Sequence, residues 1–332
     1  MEESYLVNVA AISEESRDAA EKDIRVLTSI ATQVAEALDL PFLLQEIRLT
    51  ERLQEDANEL FRQKRGSPGE YSARRDDVFA YCKTIWTLSQ DCEVRFVVLI
   101  DLRFICPWNL NNPWFLVAVL HELGHVVYET QALKRLGQDD YVSFELTRES
   151  LLGSISKTII DEYRVDRLVD RILRRIATDD TGNPYSLLKI EEEVKAMDWA
   201  GSLMSALENL PQRIDGVVCS YKTRKIGLEE LLDKAPSLVQ DVLVLFSHTC
   251  ALYLGTDSWS CIDERLKETE AARRFLGGHL EAIAEALLSD DLTIEETLEI
   301  VALAIENIFR SCGLTFEDTP EGLYTAVNWP AQ

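Results

Sequence analysis

Residues 117–128 read Val-Ala-Val-Leu-His-Glu-Leu-Gly-His-Val-Val-Tyr. Apolar side chains flank His121, Glu122 and His125 on both sides, so composition would bury this segment, and a carboxylate and two imidazoles placed there require partners. The two histidines are four residues apart. On a helix that spacing puts both imidazoles on one face, one turn from each other, where they can grip a single metal ion. Asn111 or Asn112 offers an N-cap and Pro113 a first-turn residue, so the helix is expected to begin there and run through the motif to about Leu136.

Working outward, Val94 to Ile105 is rich in β-branched and aromatic residues and predicts a strand. Further upstream, apolar residues at helical spacing predict a helix from about Glu14 to Leu40, and a second is expected from Pro41 to Gln63. Arg65-Gly66-Ser67-Pro68-Gly69 reads as a turn. Downstream, Gly137, Asp139 and Asp140 suggest a loop, and Leu152, Ile155, Ile159, Leu168, Val169 and Ile172 mark a long amphipathic helix from about Glu145 to Ile176. Further helices are expected over Leu187 to Leu210, Leu228 to Lys234, Ser237 to Leu254, Ala272 to Leu288 and Ile294 to Cys312, and an irregular tail from Thr315 to Gln332. The expected fold is mainly α with a small β-sheet (α+β). Its expected parts are N-terminal helices over 1–65, a core over 66–180 and a C-terminal helical region over 185–332.

The chain has 332 residues and is 46% hydrophobic, enough to bury a sizeable core. A formal charge of -24 repels phosphate backbones and anionic lipid, so neither nucleic acid nor a membrane surface is an expected partner. Seven scattered cysteines without a C-x-x-C pair do not form a disulfide framework and fit a reducing compartment. No secretory signal is visible at Met1-Glu2-Glu3-Ser4, and the longest apolar stretches, Phe115 to Leu120 and Val242 to Leu254, are too short to span a bilayer. A cytoplasmic location is expected.

His-Glu-x-x-His on a helix suits zinc. Glu122 beside the first ligand can take a proton from a zinc-activated water and hand it to a leaving amine, the work of a general base and acid in amide hydrolysis. A third ligand must come from elsewhere. Gln131 stands where a metzincin would place its third histidine, which excludes that class, and Glu129 lies too far along the same helix to share the ion. Residues 159–168, Ile-Ile-Asp-Glu-Tyr-Arg-Val-Asp-Arg-Leu, place Glu162 and Asp166 four apart on one face of a largely apolar helix. Glu162 can bind the zinc while Asp166 orients a histidine through its distal N–H. Alternatively the charged residues here form solvated helix salt bridges, and Asp161 and Glu149 stand as further ligand candidates.

The hydrophobic strand, the His-Glu-Leu-Gly-His helix and the downstream Glu-x-x-x-Asp together resemble the gluzincin metallopeptidases, in particular the minimal cores of the ImmA/IrrE-type and Ste-type or HtpX-like families. The resemblance covers about Val94 to Arg171. It implies a zincin-like core with His121, His125 and Glu162 as zinc ligands, Glu122 as catalytic base and Asp166 behind the ligands. It also implies that Val94 to Ile105 is the edge strand on which an extended substrate lies, and that the substrate is a dedicated regulatory protein. Glu129 stands where the ImmA-type pattern often has histidine.

His248 lies in an apolar helix and is either a hydrogen-bonded core residue or a donor to the oxyanion of the tetrahedral intermediate. Tyr128 and Tyr163 are the other candidate donors, and His279 reads as a helix-start or surface residue. Cys82, 39 residues before His121, has the spacing of a deformylase-like thiol ligand but lacks the glycine-rich turn that such a site uses. The expected function is therefore an intracellular zinc-dependent peptidase acting on a protein or peptide substrate. The alternatives are a non-proteolytic helical regulatory protein with a structural or sensory metal, and a hydrolase of small amides.

Overall fold

The computed structural model describes residues 6–9, 29, 43–65, 74–75, 78–79, 82–89, 91–101, 113–142, 147–176, 178, 182–194, 198–320 and 322–328. The expected helix over 14–40 and the turn at 65–69 lie outside them apart from Ser29 and Arg65. The described chain is mainly helical with a few strands in small sheets. It divides into two compact units, residues 1–143 with 168–194, and residues 144–167 with 195–332.

In the first unit, strands β1 (Leu6–Val9), β2 (Leu44–Thr50), β5 (Cys82–Leu88) and β6 (Val94–Asp101) form a four-stranded sheet in the order β1-β2-β6-β5. β1, β2 and β6 run parallel, and β5 returns antiparallel to β6. The short strands β3 (Arg74–Arg75) and β4 (Val78–Phe79) pair with each other. Helix α1 (Leu53–Arg65) covers one face, where Leu53, Ala57 and Leu60 pack against Ile85, Val97 and Leu99. Helix α2 (Pro113–Leu136) packs on β5 and β6 and carries the histidine motif, beginning at Pro113 as the sequence predicts.

Two expectations fail here. Residues 44–50 are strand, not helix. Leu44, Gln45, Glu46 and Leu49 suit a helix locally, but ladders from β1 and β6 on both sides override that preference. Glu46 is buried on this strand and accepts a hydrogen bond from Nε of Arg48 at 2.8 Å, a pair two residues apart that shares one face of a strand. Val94–Asp101 is also not the edge. It lies between β2 and β5 and is buried on both faces apart from Arg95, as an interior strand must be; among the described strands the edges are β1 and β5, and on β5 Lys83, Thr84 and Trp86 are half-buried.

Helix α3 (Gln138–Val142) replaces the expected loop and staples the β5–β6 hairpin. Gln138 donates to the carbonyl of Cys92 at 2.7 Å and accepts from the amide of Val94 at 3.1 Å, while Tyr141 meets Trp86 and Phe96 edge-on. Cys92 adopts a left-handed conformation (φ 60°) in this hairpin turn, which closes through Ser89 and Glu93. Helix α4 (Arg148–Ile176) is the long amphipathic helix expected, and α5 (Leu187–Val194) follows it.

In the second unit, α6 (Trp199–Lys222) and α7 (Leu228–Tyr253) pack against each other. Leu203, Leu207, Leu210, Ile214 and Val218 recur at helical spacing on the buried face of α6. The two helices expected on either side of Pro236 are one. The proline removes a backbone hydrogen bond, but Ala235, Pro236, Leu238 and Val239 are all buried and hold the helix continuous. At 26 residues α7 is long and apolar enough to cross a bilayer, and 72% of its most apolar window is buried inside the fold, the character of a core helix. Helices α8 (Asp257–Glu268), α9 (His279–Leu288) and α10 (Ile294–Ser311) follow, with a π-helical turn at Ala272–Leu276.

The tail is not irregular: β7 (Leu314–Thr319) and β8 (Gly322–Val327) form a hairpin, anchored by Phe316 packing edge-on to Phe309. Arg148 ties the start of α4 to this end of the unit. Its guanidinium binds Glu306 on α10, and its amide donates to Asp318 on β7 at 2.7 Å.

Candidate metal centre

On α2, His121 and His125 are half-buried and their Nε2 atoms lie 3.2 Å apart, with the rings edge-to-face at 82°. Two nitrogens bonded at about 2.0–2.1 Å to one tetrahedral ion would be separated by about 3.3 Å, so the pair has the spacing of a shared ion. A carboxylate oxygen of Glu162, on α4, lies with these nitrogens so that all three ligand atoms are within 4.8 Å of one another. Two imidazoles and one carboxylate form a donor set that suits zinc. Among the described residues this is the group able to hold a metal ion, and it includes neither Asp161, Glu149 nor Cys82.

Each excluded candidate has another role. Asp161 binds Lys157 at 2.8 Å and approaches Arg164. Glu149 is exposed at the first turn of α4. Glu129 accepts from the hydroxyl of Tyr141 at 2.7 Å. Cys82 is buried on β5, where burial first, and then the carboxylates of Glu122 and Asp101, hold its thiol well above the usual range.

Glu122 is half-buried beside His121, and its carboxylate accepts a hydrogen bond from Oγ1 of Thr84 at 2.7 Å. Thr84 sits on the edge strand, opposite Val98 in the β5–β6 ladder and on the sheet face that α2 covers. Sequence reasoning missed it. A threonine in a strand carries no local mark of the helix that will pack over it.

On the second unit, Asp166 and His248 are both buried, and the Asp166 carboxylate lies 2.7 Å from Nδ1 of the imidazole. Nε2 of the same ring is 3.7 Å from Oε2 of Glu162. Trp199 stacks on the ring at a centroid distance of 4.1 Å and an angle of 22°. Asp166 thus meets His248, a histidine outside the candidate ligand set, and His248 is a hydrogen-bonded core residue that also faces the carboxylate of Glu162. With Nδ1–H given to Asp166, the neutral ring presents a lone pair at Nε2 and the protonated ring presents N–H. Tyr128 and Tyr163 are both buried, and burial pushes the Tyr163 phenol upward, so it remains a neutral phenol. His279 begins α9, a helix-start residue as expected.

Comparison with protein-family models, with curated proteins and with solved structures finds no match to this chain.

Proposed function

We propose that the chain is a zinc-dependent peptidase, with zinc held by His121, His125 and Glu162. The observation that carries this reading is the convergence of those three ligand atoms within 4.8 Å, with Glu122 next to His121 on the same helix. Zinc, when bound, supplies a Lewis acid for the scissile carbonyl and brings the pKa of a coordinated water toward ~7. Glu122 takes the proton of the attacking water and delivers it to the nitrogen that leaves as the amine. His248, held through Nδ1 by Asp166, would supply an Nε2–H donor to the oxyanion that develops on the carbonyl. An extended peptide fits this chemistry because β5 is an outer strand among those described and neighbours α2, so a substrate can add to it as a further strand. A protein segment is therefore the proposed substrate.

The second reading is a non-catalytic metal site. The 3.7 Å separation of His248 from Glu162 favours it, because a histidine braced by a carboxylate is also how metal ligands are commonly oriented, and a fourth ligand would close the site.

Metal analysis tests both readings, with wild type beside Glu162→Ala and Glu122→Gln, together with mass-spectrometric profiling of a proteome-derived peptide library. Wild type is expected to hold about one zinc per chain, Glu162→Ala to lose it, and Glu122→Gln to keep it while cleavage ceases. Zinc retained in full by Glu162→Ala removes that ligand. Cleavage by Glu122→Gln at the wild-type rate removes the base.

A further inference from the structure

We infer that Thr84 is a positioning residue for Glu122, holding the base carboxylate in the orientation from which it works. The inference rests on the peptidase reading above. Oγ1 of Thr84 lies 2.7 Å from Oε2 of Glu122 and 2.9 Å from that residue's own carbonyl oxygen. A hydroxyl has one proton to give, and the charged carboxylate is the stronger acceptor. The bond therefore pins one carboxylate oxygen and leaves the other to face the reacting water.

The two partners are fixed by different parts of the fold, which is what makes the contact informative. Glu122 sits on α2, and its side chain has rotamer freedom that a catalytic base must lose. Thr84 is β-branched, stiff at χ1, and set by the middle of the β5–β6 ladder, where Ile85 and Val97 continue the register. The hydrogen bond thus transfers the order of the sheet to the base. Cys82, two residues earlier on the same sheet face, feels the Glu122 charge, but a neutral thiol is too weak a donor to take over.

A merely structural role would instead glue α2 to the edge strand through the Glu122 carbonyl. Acetohydroxamic acid separates the two and needs no knowledge of the substrate. Bound to the zinc-loaded chain it would act as a hydroxamate and give up its N–O–H proton to the base carboxylate, so its affinity would report how well Glu122 is placed. The zinc-loaded full chain is titrated calorimetrically as wild type, Glu122→Gln, Thr84→Val and Thr84→Ser, with zinc content measured on each. Thr84→Val, which keeps the shape of the side chain, is expected to weaken binding about tenfold with zinc retained, and Thr84→Ser to stay within about twofold of wild type, because the hydroxyl is the part that matters.

Weak binding by Glu122→Gln alongside wild-type binding by Thr84→Val overturns the inference and leaves the peptidase reading standing. Failure of wild type to bind, or wild-type affinity in Glu122→Gln, overturns the peptidase reading and the inference with it. Where Thr84→Val loses zinc or its fold, Thr84→Ala takes its place, and the same loss in both assigns Thr84 a structural role and overturns the inference.

Discussion

The Asp166 carboxylate meets Nδ1 of His248 at 2.7 Å, in a buried setting where the imidazole also stacks on Trp199. The ring is thereby fixed in both tilt and rotation, with Nε2 aimed toward Glu162 at 3.7 Å. A histidine held this firmly has lost its conformational freedom before any ligand arrives, which is what a donor to a developing charge requires.

On the proposed peptidase reading, removing His248 is expected to slow turnover without releasing metal. His248→Ala should lower kcat by about 10²–10³, in line with loss of one oxyanion donor, while zinc content stays at the wild-type level. Asp166→Asn should act in the same direction, because an amide can donate to Nδ1 and so favour the wrong tautomer. Loss of zinc from His248→Ala would instead make this histidine a ligand and support the closed, non-catalytic site.

The six described cysteines divide into two classes. Cys92, Cys219 and Cys261 are exposed, whereas Cys82, Cys250 and Cys312 are buried. Burial raises the Cys250 thiol far above its ordinary value and pushes that of Cys312 up to about 12. Iodoacetamide at mildly alkaline pH should therefore label the exposed three rapidly and the buried three only on unfolding. Peptide mapping reads the outcome, and labelling of Cys312 at the rate of Cys219 would contradict the packing around α10.

Helix α10 begins with a reciprocal cap. The Thr293 hydroxyl accepts from the Glu296 amide at 3.2 Å, and the Glu296 carboxylate accepts from the Thr293 amide at 2.8 Å. These bonds, the backbone one first, hold the Glu296 carboxyl below its ordinary value. A depressed folded pKa means that the stability this carboxylate contributes is present above its unfolded value, near ~4.3, and is lost as pH falls through the folded value. The melting temperature of Glu296→Gln should thus lie below that of wild type at neutral pH, and the two should converge in acid. A gap that stays constant down the whole acid range would show that the charge on Glu296 is irrelevant to the cap.

Much of this molecule was legible locally. The span of α2 followed from Pro113 and the apolar run around the motif, and Glu162 and Asp166 could be put on one helical face because i and i+4 always share one. The strand at 94–101 declared itself through its β-branched and aromatic residues. The failures came where pairing and packing outvoted local preference. Residues 44–50 became a strand because two neighbouring strands claimed their backbone, Pro236 was absorbed into α7 because its surroundings are buried, and the tail paired with itself as β7 and β8.

The sequence by itself determined that His121, Glu122 and His125 share one helix, since residues so close in the chain need only helical geometry to be brought together. It also determined the mainly helical character, through apolar spacing that each segment carries alone. Tertiary structure decided what surrounds the motif: that β5 and not β6 is an outer strand among those described, that Thr84 reaches the Glu122 carboxylate across 38 residues of chain, and that Asp166 braces His248 across 82. Those contacts join side chains whose separation in sequence carries no periodic signal. Only the packing of α2 on the sheet, and of α7 beside α4 within its unit, brings their polar atoms within hydrogen-bonding range.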